Sequence, residues 1–87
     1  MAVVHLPSQL RQRAGTGAAV VSEGSTLGQV LSDLERRYPG LSGWILDETG
    51  SIRRHVNVFV NGERAPVEAA IAEADRIQVL PAISGGG

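Results

Sequence analysis

One helical stripe set among strand-like runs constrains the fold of this chain more than any other feature. Thr26 and Gln29 match a helix-capping box, and the pair Pro39-Gly40 predicts the end of the helix. With 87 residues, the chain has room for one domain with one modest core. The apolar side chains of the stripe recur at the spacing of a single helix face, at Leu27, Val30, Leu31, Leu34 and Tyr38.

Two runs before the helix predict strands. AVVHL places Ala2, Val4 and Leu6 on one face, and AAVVSE is a second run rich in β-branched residues. We expect the intervening SQLRQRAGTG to be a loop, so that the two strands form an antiparallel hairpin.

The C-terminal half carries the clearest strand signal. In HVNVFVNGE, valines alternate with other residues, and Asn61-Gly62 is the preferred type I′ hairpin turn. Pro66 predicts a short return strand, and RIQVL predicts a last strand with Ile77 and Val79 facing inward. Between helix and hairpin, LSGWIL predicts a packed irregular segment, in which Trp44 is a partly buried packing residue between the helix and the sheet edge.

These elements predict a two-layer α+β domain, in which a mixed sheet of four to five strands packs on one main helix. The predicted domain covers residues 1–81. Residues 82–87, here called the tail, contain Ser84 and three terminal glycines, and we expect them to be flexible because glycine loses the most entropy on ordering.

Composition argues against several functions. The net charge of -1 gives no general drive toward nucleic acid, and no apolar run approaches the ~20 residues of a membrane span. The N-terminus lacks the features of a signal peptide, which predicts a cytoplasmic protein without a membrane partner. The chain has no cysteine, and His5 and His55 lie in strand contexts outside any catalytic or metal-binding motif. We therefore expect no catalytic residue, no metal site and no bound cofactor.

The tail is the remaining candidate for chemistry. Fully extended, it reaches ~20 Å beyond the last strand, and its glycines, which have no Cβ, can thread a narrow cleft toward a distant active site. A frayed terminus or an expression scar is the alternative explanation.

Four stretches resemble the ThiS/MoaD family of ubiquitin-like sulfur carriers, across essentially the whole chain. They are the TLGQVLSDL helix, the VNVFVNGE hairpin, the ending ADRIQVLPAISGG and the RRYPGL segment. The ending and the chain length are most similar to the CysO-type carriers. The resemblance implies a β-grasp fold and a protein cosubstrate rather than an enzyme.

The resemblance also implies a mechanism. An E1-like enzyme would use ATP and magnesium to adenylate the C-terminal glycine, and a sulfur donor would convert it to a thiocarboxylate. An acceptor enzyme, such as a cysteine synthase or a metabolite synthase, would then take the sulfur. The implied reactive positions are Gly87 and Gly86, presented by Gly85 and Ser84. Family members commonly end at a position matching Gly86, so either the activating enzyme tolerates the additional Gly87 or a C-terminal trimming protease, a further partner, removes it.

Other expectations complete the sequence-based hypothesis. Phe59, Leu80 and Ile83 are candidate docking residues for partner enzymes. The chain has no lysine, which suits a carrier of an activated acyl group but also fits GC-rich codon usage. Two alternatives remain open: the small subunit of molybdopterin synthase, and a ubiquitin-like modifier or interaction domain without sulfur chemistry.

Overall fold

The computed structural model describes residues 2–81, which form a five-stranded sheet covered on one face by a helix. The sheet order is β2-β1-β5-β3-β4; β1 and β5 are parallel, and the other neighbouring strands are antiparallel. This is the mixed sheet of a β-grasp domain, so the predicted fold class is confirmed. The elements in chain order are β1 (Ala2–His5), α1 (Ser8–Ala14), β2 (Ala19–Ser22), α2 (Leu27–Arg37), a short 3₁₀ turn (Pro39–Leu41), β3 (Val56–Val60), β4 (Glu63–Arg64) and β5 (Arg76–Pro81).

The core lies between α2 and the sheet. The predicted stripe faces inward: its first four members are fully buried, and Tyr38 is half-buried at the end of α2. Val4, Ile77 and Val79 are also buried, as the alternation along their strands predicts. Burial of these apolar side chains supplies the main stabilisation of the domain.

The predicted cap is present at the start of α2. Thr26 Oγ1 accepts a hydrogen bond from the Gln29 amide at 3.2 Å, while Gln29 Oε1 accepts from the Ser25 amide at 2.8 Å. The second bond reaches one residue further back than a standard capping box. The Leu27 amide donates to the Ala69 carbonyl at 2.8 Å, so a crossing segment satisfies another donor of the first turn.

The hairpin of β3 and β4 has the turn type that its sequence predicts. Asn61 and Gly62 have φ values of 53° and 87°, as a type I′ turn requires. The return strand β4 has only two residues, in agreement with the restriction expected from Pro66. Asn61 Oδ1 also accepts from the Arg76 amide at 2.9 Å, which fixes the turn to the start of β5.

The prediction of a loop for SQLRQRAGTG was wrong, because α1 lies there. Pro7 precedes this helix, Leu10 is buried, and Gly15 ends it in the left-handed region with φ of 71°. The Gly15 amide donates to the Arg11 carbonyl at 2.9 Å. A helix of seven residues that buries one large side chain is too short to show a clear apolar period.

The LSGWIL segment is packed as predicted, with Leu41 and Ile45 fully buried. Trp44 is 45% exposed, so it is partly buried as predicted. Leu41 and Ile45 face the core, whereas Trp44, the residue before Ile45, is turned partly toward solvent. The guanidinium of Arg13, on α1, lies 3.6 Å from the centroid of the indole.

Candidate docking surface at the root of the tail

The last strand presents Leu80 to solvent next to the point where the tail begins. Leu80 follows the inward-facing Val79 and is 42% exposed on the sheet face opposite α2, here called the free sheet face. In the ladder between β3 and β5, Leu80 lies opposite Asn57, and Phe59 lies opposite Gln78. The two apolar candidates are therefore diagonal neighbours on one face, roughly 7 to 8 Å apart by sheet geometry.

Phe59 is half-buried rather than fully exposed. Its register partners are Gln78 on β5 and Arg64 on β4, both exposed. His5 continues the same row, because it pairs with Gln78. Phe59 thus lies among polar neighbours, and Leu80 adds the larger exposed apolar area near the tail.

A groove on the other side of the tail root has no counterpart among the sequence predictions. It is a cavity of about 410 Å³ between α1, the Gly43–Trp44 turn and the ends of β3 and β5. Arg53 and His55 lie at its rim. Its apolar lining includes Pro7, Leu10, Trp44, Val79, Leu80 and Pro81, and these residues define what is here called the tail-root groove.

Glu35 holds the wall of this groove that carries Trp44. The carboxylate of Glu35, on α2, accepts hydrogen bonds from the backbone amides of Gly43, Ile45 and Leu46 at 3.2, 3.0 and 2.7 Å. Three acceptor contacts from one side chain fix the turn in a single position. The indole of Trp44 is therefore placed by α2 on one side and by α1 on the other.

A close backbone contact fixes the position of α1, which contributes Leu10 to the groove. A Cβ at Gly40 would come within 2.0 Å of the Arg13 carbonyl oxygen, so α1 and the 3₁₀ turn meet where only glycine fits. Sequence reasoning assigned Gly40 to helix termination alone. Its second role could not be recognised while the segment of Arg13 was interpreted as a loop.

The remaining predicted site residues lie outside the described part of the chain. They are Ile83, Ser84, Gly85, Gly86 and Gly87. Pro81, the last described residue, pairs with Val56, so β5 is bonded to β3 up to the residue before the tail.

Two ionisable groups with lowered pKa values, Asp33 and Asp75, lie apart from the surface at the root of the tail. Hydrogen bonds from the Glu23 amide and from Arg36 lower the pKa of Asp33 to about 2. The Ala72 amide and the Asn61 side chain lower the pKa of Asp75. Within residues 2–81, no three histidine, aspartate or glutamate side chains are grouped so that they could hold a metal ion.

No helix in the described part of the chain combines the length and apolar character needed to cross a membrane. The longest, α2, has 11 residues and a polar face.

Comparison with known proteins places this geometry in a family. The sulfur carrier protein CysO of Mycobacterium tuberculosis is 39% identical over an alignment of 89 residues, which spans 95% of this chain and 96% of the relative. Small archaeal modifier protein 3 of Haloferax volcanii is 34% identical over 70 residues, covering 76% of this chain and 75% of the relative. The structure matches the crystal structure of the Amycolatopsis orientalis BexX/CysO complex with a TM-score of 0.86, 30% identity and coverage of 99% and 100%. The profile of the ThiS family matches residues 4–86. The chain therefore belongs to the ThiS family.

Proposed function

We propose that this protein is a sulfur carrier whose C-terminal glycine is converted to a thiocarboxylate. The observation that carries the proposal is the family match, which runs to Gly86 and so includes Gly85 and Gly86. The identity of 39% with the sulfur carrier CysO supports the same chemistry.

The proposed reaction has three steps. The terminal carboxylate attacks the α-phosphorus of ATP on an E1-like enzyme and releases pyrophosphate, leaving an acyl adenylate. A sulfur donor then displaces AMP, which retains one carboxylate oxygen, and the carrier keeps the thiocarboxylate. An acceptor enzyme for cysteine or another sulfur-containing metabolite receives the sulfur. ATP and magnesium belong to the activating enzyme, and the need for ATP supports a cytoplasmic setting.

In this proposal the folded domain serves recognition, and the tail serves chemistry. Leu80 and Phe59 offer apolar area on the free sheet face beside the tail root. The structural relative from Amycolatopsis was crystallised in a complex with BexX, which supports docking of the carrier on a protein partner. The chain contains no lysine and no cysteine, so its side chains offer neither a primary amine nor a thiol to attack an acyl adenylate.

Intact-mass analysis tests the proposal. The full chain is incubated with a cognate E1-like enzyme, ATP, magnesium and sulfide, and the expected product has one oxygen replaced by sulfur at the C-terminus. A variant that lacks Gly86 and Gly87 is the control and should remain unmodified. No ATP-dependent mass change in the full chain with several activating enzymes would contradict the proposal.

The same spectra identify the reactive residue. Two routes fit the family pattern: Gly87 itself is activated, or a protease first removes Gly87 and exposes Gly86. Sulfur on the full-length mass supports the first route. Sulfur only on a chain shortened by one glycine supports the second.

A protein modifier is the second candidate function. The similarity to small archaeal modifier protein 3 favours it, because that relative is named as a modifier. An adduct that joins the C-terminus of this chain to a lysine of another protein, without exchange of oxygen for sulfur, would support the modifier function instead.

A further inference from the structure

The strands present positive charge, and no carboxylate, on the free sheet face. Residues opposite each other in a ladder point to the same face, so the register identifies the outward positions. Arg64 lies opposite Phe59 and Arg76 lies opposite Val3, which places both exposed arginines on the free sheet face. Glu63, the only acidic residue within a strand of the described chain, precedes Arg64 and points to the other face. The net charge of the whole chain is -1, so this face differs in sign from the molecule.

Neither of these two arginines is neutralised by a neighbouring carboxylate. The ion pairs found in residues 2–81 all use arginines of α2, on the other side of the sheet. Asp75 precedes Arg76 in the chain, but its carboxylate accepts hydrogen bonds from the Ala72 amide at 2.7 Å and from Asn61 Nδ2 at 2.9 Å. Both of its oxygens are thus engaged locally, and the two guanidinium groups remain available to a partner.

A recess beside Arg76 offers a place for an anionic side chain. The Arg76 amide donates to Asn61 Oδ1 at 2.9 Å, and its carbonyl accepts from the Asn61 amide at 2.8 Å, so the backbone of Arg76 is fixed. Next to it lies a cavity of about 200 Å³, here called the polar recess, lined by His5, Asn61, Gly62, Arg76 and Gln78. None of these lining residues is acidic. A recess with an arginine and further hydrogen-bond donors on its wall fits a carboxylate.

Apolar surface lies between the charges. Phe59 lies between Arg64 and Gln78 in one row across the sheet, and Leu80 is its diagonal neighbour. By sheet geometry, the backbones of Arg64 and Arg76 are roughly 12 Å apart, on either side of Phe59. An apolar centre flanked by two cations is complementary to a protein surface on which carboxylates flank apolar side chains.

We propose that the free sheet face selects a protein partner with an acidic docking surface, and that Arg64 and Arg76 are the residues that determine this specificity. One carboxylate of the partner enters the polar recess beside Arg76, and a second pairs with Arg64. Phe59 and Leu80 contact the apolar side chains between them. The inference rests on the proposed function for the identity of this partner, which is the activating enzyme.

The charges disfavour two other occupants. A second copy of the chain would bring a free sheet face of the same sign, and like charges opposed across an interface suppress binding. Nucleic acid is attracted by the neutralisation of many phosphates, whereas this chain has a net charge of -1 and this face has two arginines.

Binding of the full-length chain to a cognate E1-like enzyme, without ATP or sulfide, tests the inference. In calorimetric titrations at low ionic strength, Arg64→Gln and Arg76→Gln should each raise the dissociation constant by about tenfold, the lower end of the coupling between close charges across an interface. Arg76→Lys keeps the charge and should recover most of the affinity. Arg36→Gln is the matched control, because it removes the same charge from an exposed side chain of α2, and it should leave the dissociation constant unchanged.

The salt dependence of the same titrations is a second readout. Added salt should weaken binding of the unmodified protein, and it should weaken binding of the double variant Arg64→Gln/Arg76→Gln much less. A loss of folding alone would not flatten this dependence, and thermal unfolding of each variant confirms that the domain remains folded.

Several results would overturn the inference. Equal dissociation constants in all variants, or no binding of the unmodified chain, would mean that these charges do not select the enzyme. An equal loss in Arg36→Gln would reduce the effect to net charge. Tighter binding to a single-stranded RNA oligonucleotide or to vesicles of anionic lipid than to the enzyme would assign the face to a polyanion.

The inference and the proposed function can fail separately. Thiocarboxylate formation that needs the same carrier concentration in all variants would contradict the inference and leave the proposed function intact. Charge-dependent binding without any exchange of oxygen for sulfur would do the reverse.

Discussion

At the residue scale, Asp33 shows how one buried carboxylate joins two elements. Its Oδ2 accepts from Ser22 Oγ at 3.0 Å and from the Glu23 amide at 3.1 Å, and so connects α2 to the end of β2. Arg37 Nε lies 3.0 Å from the same oxygen, and Arg36 pairs with Oδ1. The charged form is favoured by all four partners, which explains why the pKa of Asp33 falls to about 2 despite its burial.

This lowered pKa predicts a specific loss of stability in acid. The carboxylate stabilises the folded state above pH 3.8, its ordinary pKa, and the stabilisation is lost as pH falls through the folded value of about 2. The shift corresponds to about 2 kcal/mol of the free energy of unfolding. Urea unfolding measured from about pH 2 to about pH 7 should show a flatter acid limb for Asp33→Asn than for the unmodified protein.

The exposed carboxylate Glu48 provides the control for this experiment. Glu48→Gln should leave the pH profile of the unfolding free energy nearly unchanged, because that side chain is exposed. If Asp33→Asn kept the full acid limb, the pH dependence would have to come from another group.

Gly40 supports the packing of α1 for a steric reason. Gly40→Ala would place a methyl group 2.0 Å from the Arg13 carbonyl oxygen, so α1 has to move away from the 3₁₀ turn. We expect a loss of about 1 to 3 kcal/mol in the free energy of unfolding, measured with urea at neutral pH. Gly17→Ala is the matched control, since no atom lies within 4 Å of its added Cβ, and its effect should stay within about 0.5 kcal/mol. Equal effects of the two substitutions would contradict the steric explanation.

At the element scale, the turn of residues 43–46 depends on a side chain of α2. Glu35→Ala removes a carboxylate that accepts three hydrogen bonds and leaves the amides of Ile45 and Leu46 without their partner. We expect a cost of about 1 to 3 kcal/mol, because Ile45 is fully buried and its amide cannot easily turn to water. Hydrogen exchange should report the change as faster exchange of both amides.

The control for this experiment is a carboxylate that accepts no hydrogen bond from the turn of residues 43–46. Glu68→Ala removes an exposed side chain outside the groove and should leave the exchange of Ile45 and Leu46 unchanged. Unaltered protection in Glu35→Ala would mean that packing of Ile45 alone holds the turn.

The elements that could be predicted from the sequence are those specified by local signals. The stripe of α2 repeats over three turns, and Asn61-Gly62 specifies its hairpin without reference to the rest of the chain. By contrast, α1 depends on tertiary contacts. Leu10 is buried in the core, the Arg13 carbonyl packs against Gly40, and the Arg13 guanidinium lies over the indole of Trp44. The tail-root groove was missed for the same reason, because α1 and the turn of Trp44 form it together.

In the candidate site, too, the features that follow from local sequence could be predicted, and those that depend on tertiary contacts could not. The outward direction of Leu80 and Phe59 followed from strand alternation and agrees with the structure. Their role in docking, and the reactive position among the terminal glycines, stay predictions. The half-burial of Phe59 could not be foreseen, because it depends on the neighbours Gln78 and Arg64 across the sheet.

At the scale of the whole molecule, the topology places the tail root at the end of an interior strand. β5 is bonded to β1 on one side and to β3 on the other, so its direction is fixed by two ladders. Because β1 and β5 are parallel neighbours, the start of β1 lies at the opposite end of the strands from Pro81. The free sheet face therefore carries the end of β5 in a defined direction, away from the start of β1.

This geometry predicts that Leu80 contributes to recognition more than to stability. Leu80→Ser should change the free energy of unfolding by less than about 1 kcal/mol, since the side chain is already 42% exposed. Loss of an apolar contact at the centre of an interface weakens the free energy of binding by about 1 to 3 kcal/mol. We therefore expect Leu80→Ser to raise the carrier concentration needed for half-maximal thiocarboxylate formation by roughly 5- to 150-fold. The rate measured against carrier concentration separates this effect from a slower chemical step, which would lower the maximal rate instead.

Val21 offers a matched control on the same molecule. It is 46% exposed and lies on the free sheet face as Leu80 does, but on β2 at the edge of the sheet farthest from β3. Val21→Ser removes a comparable apolar surface and should leave the half-maximal concentration unchanged, because it lies away from the tail root. If the two substitutions weakened thiocarboxylate formation equally, the whole free sheet face would form the interface. If neither substitution weakened it, recognition would depend on the tail and the tail-root groove, and the role proposed for Leu80 would be wrong.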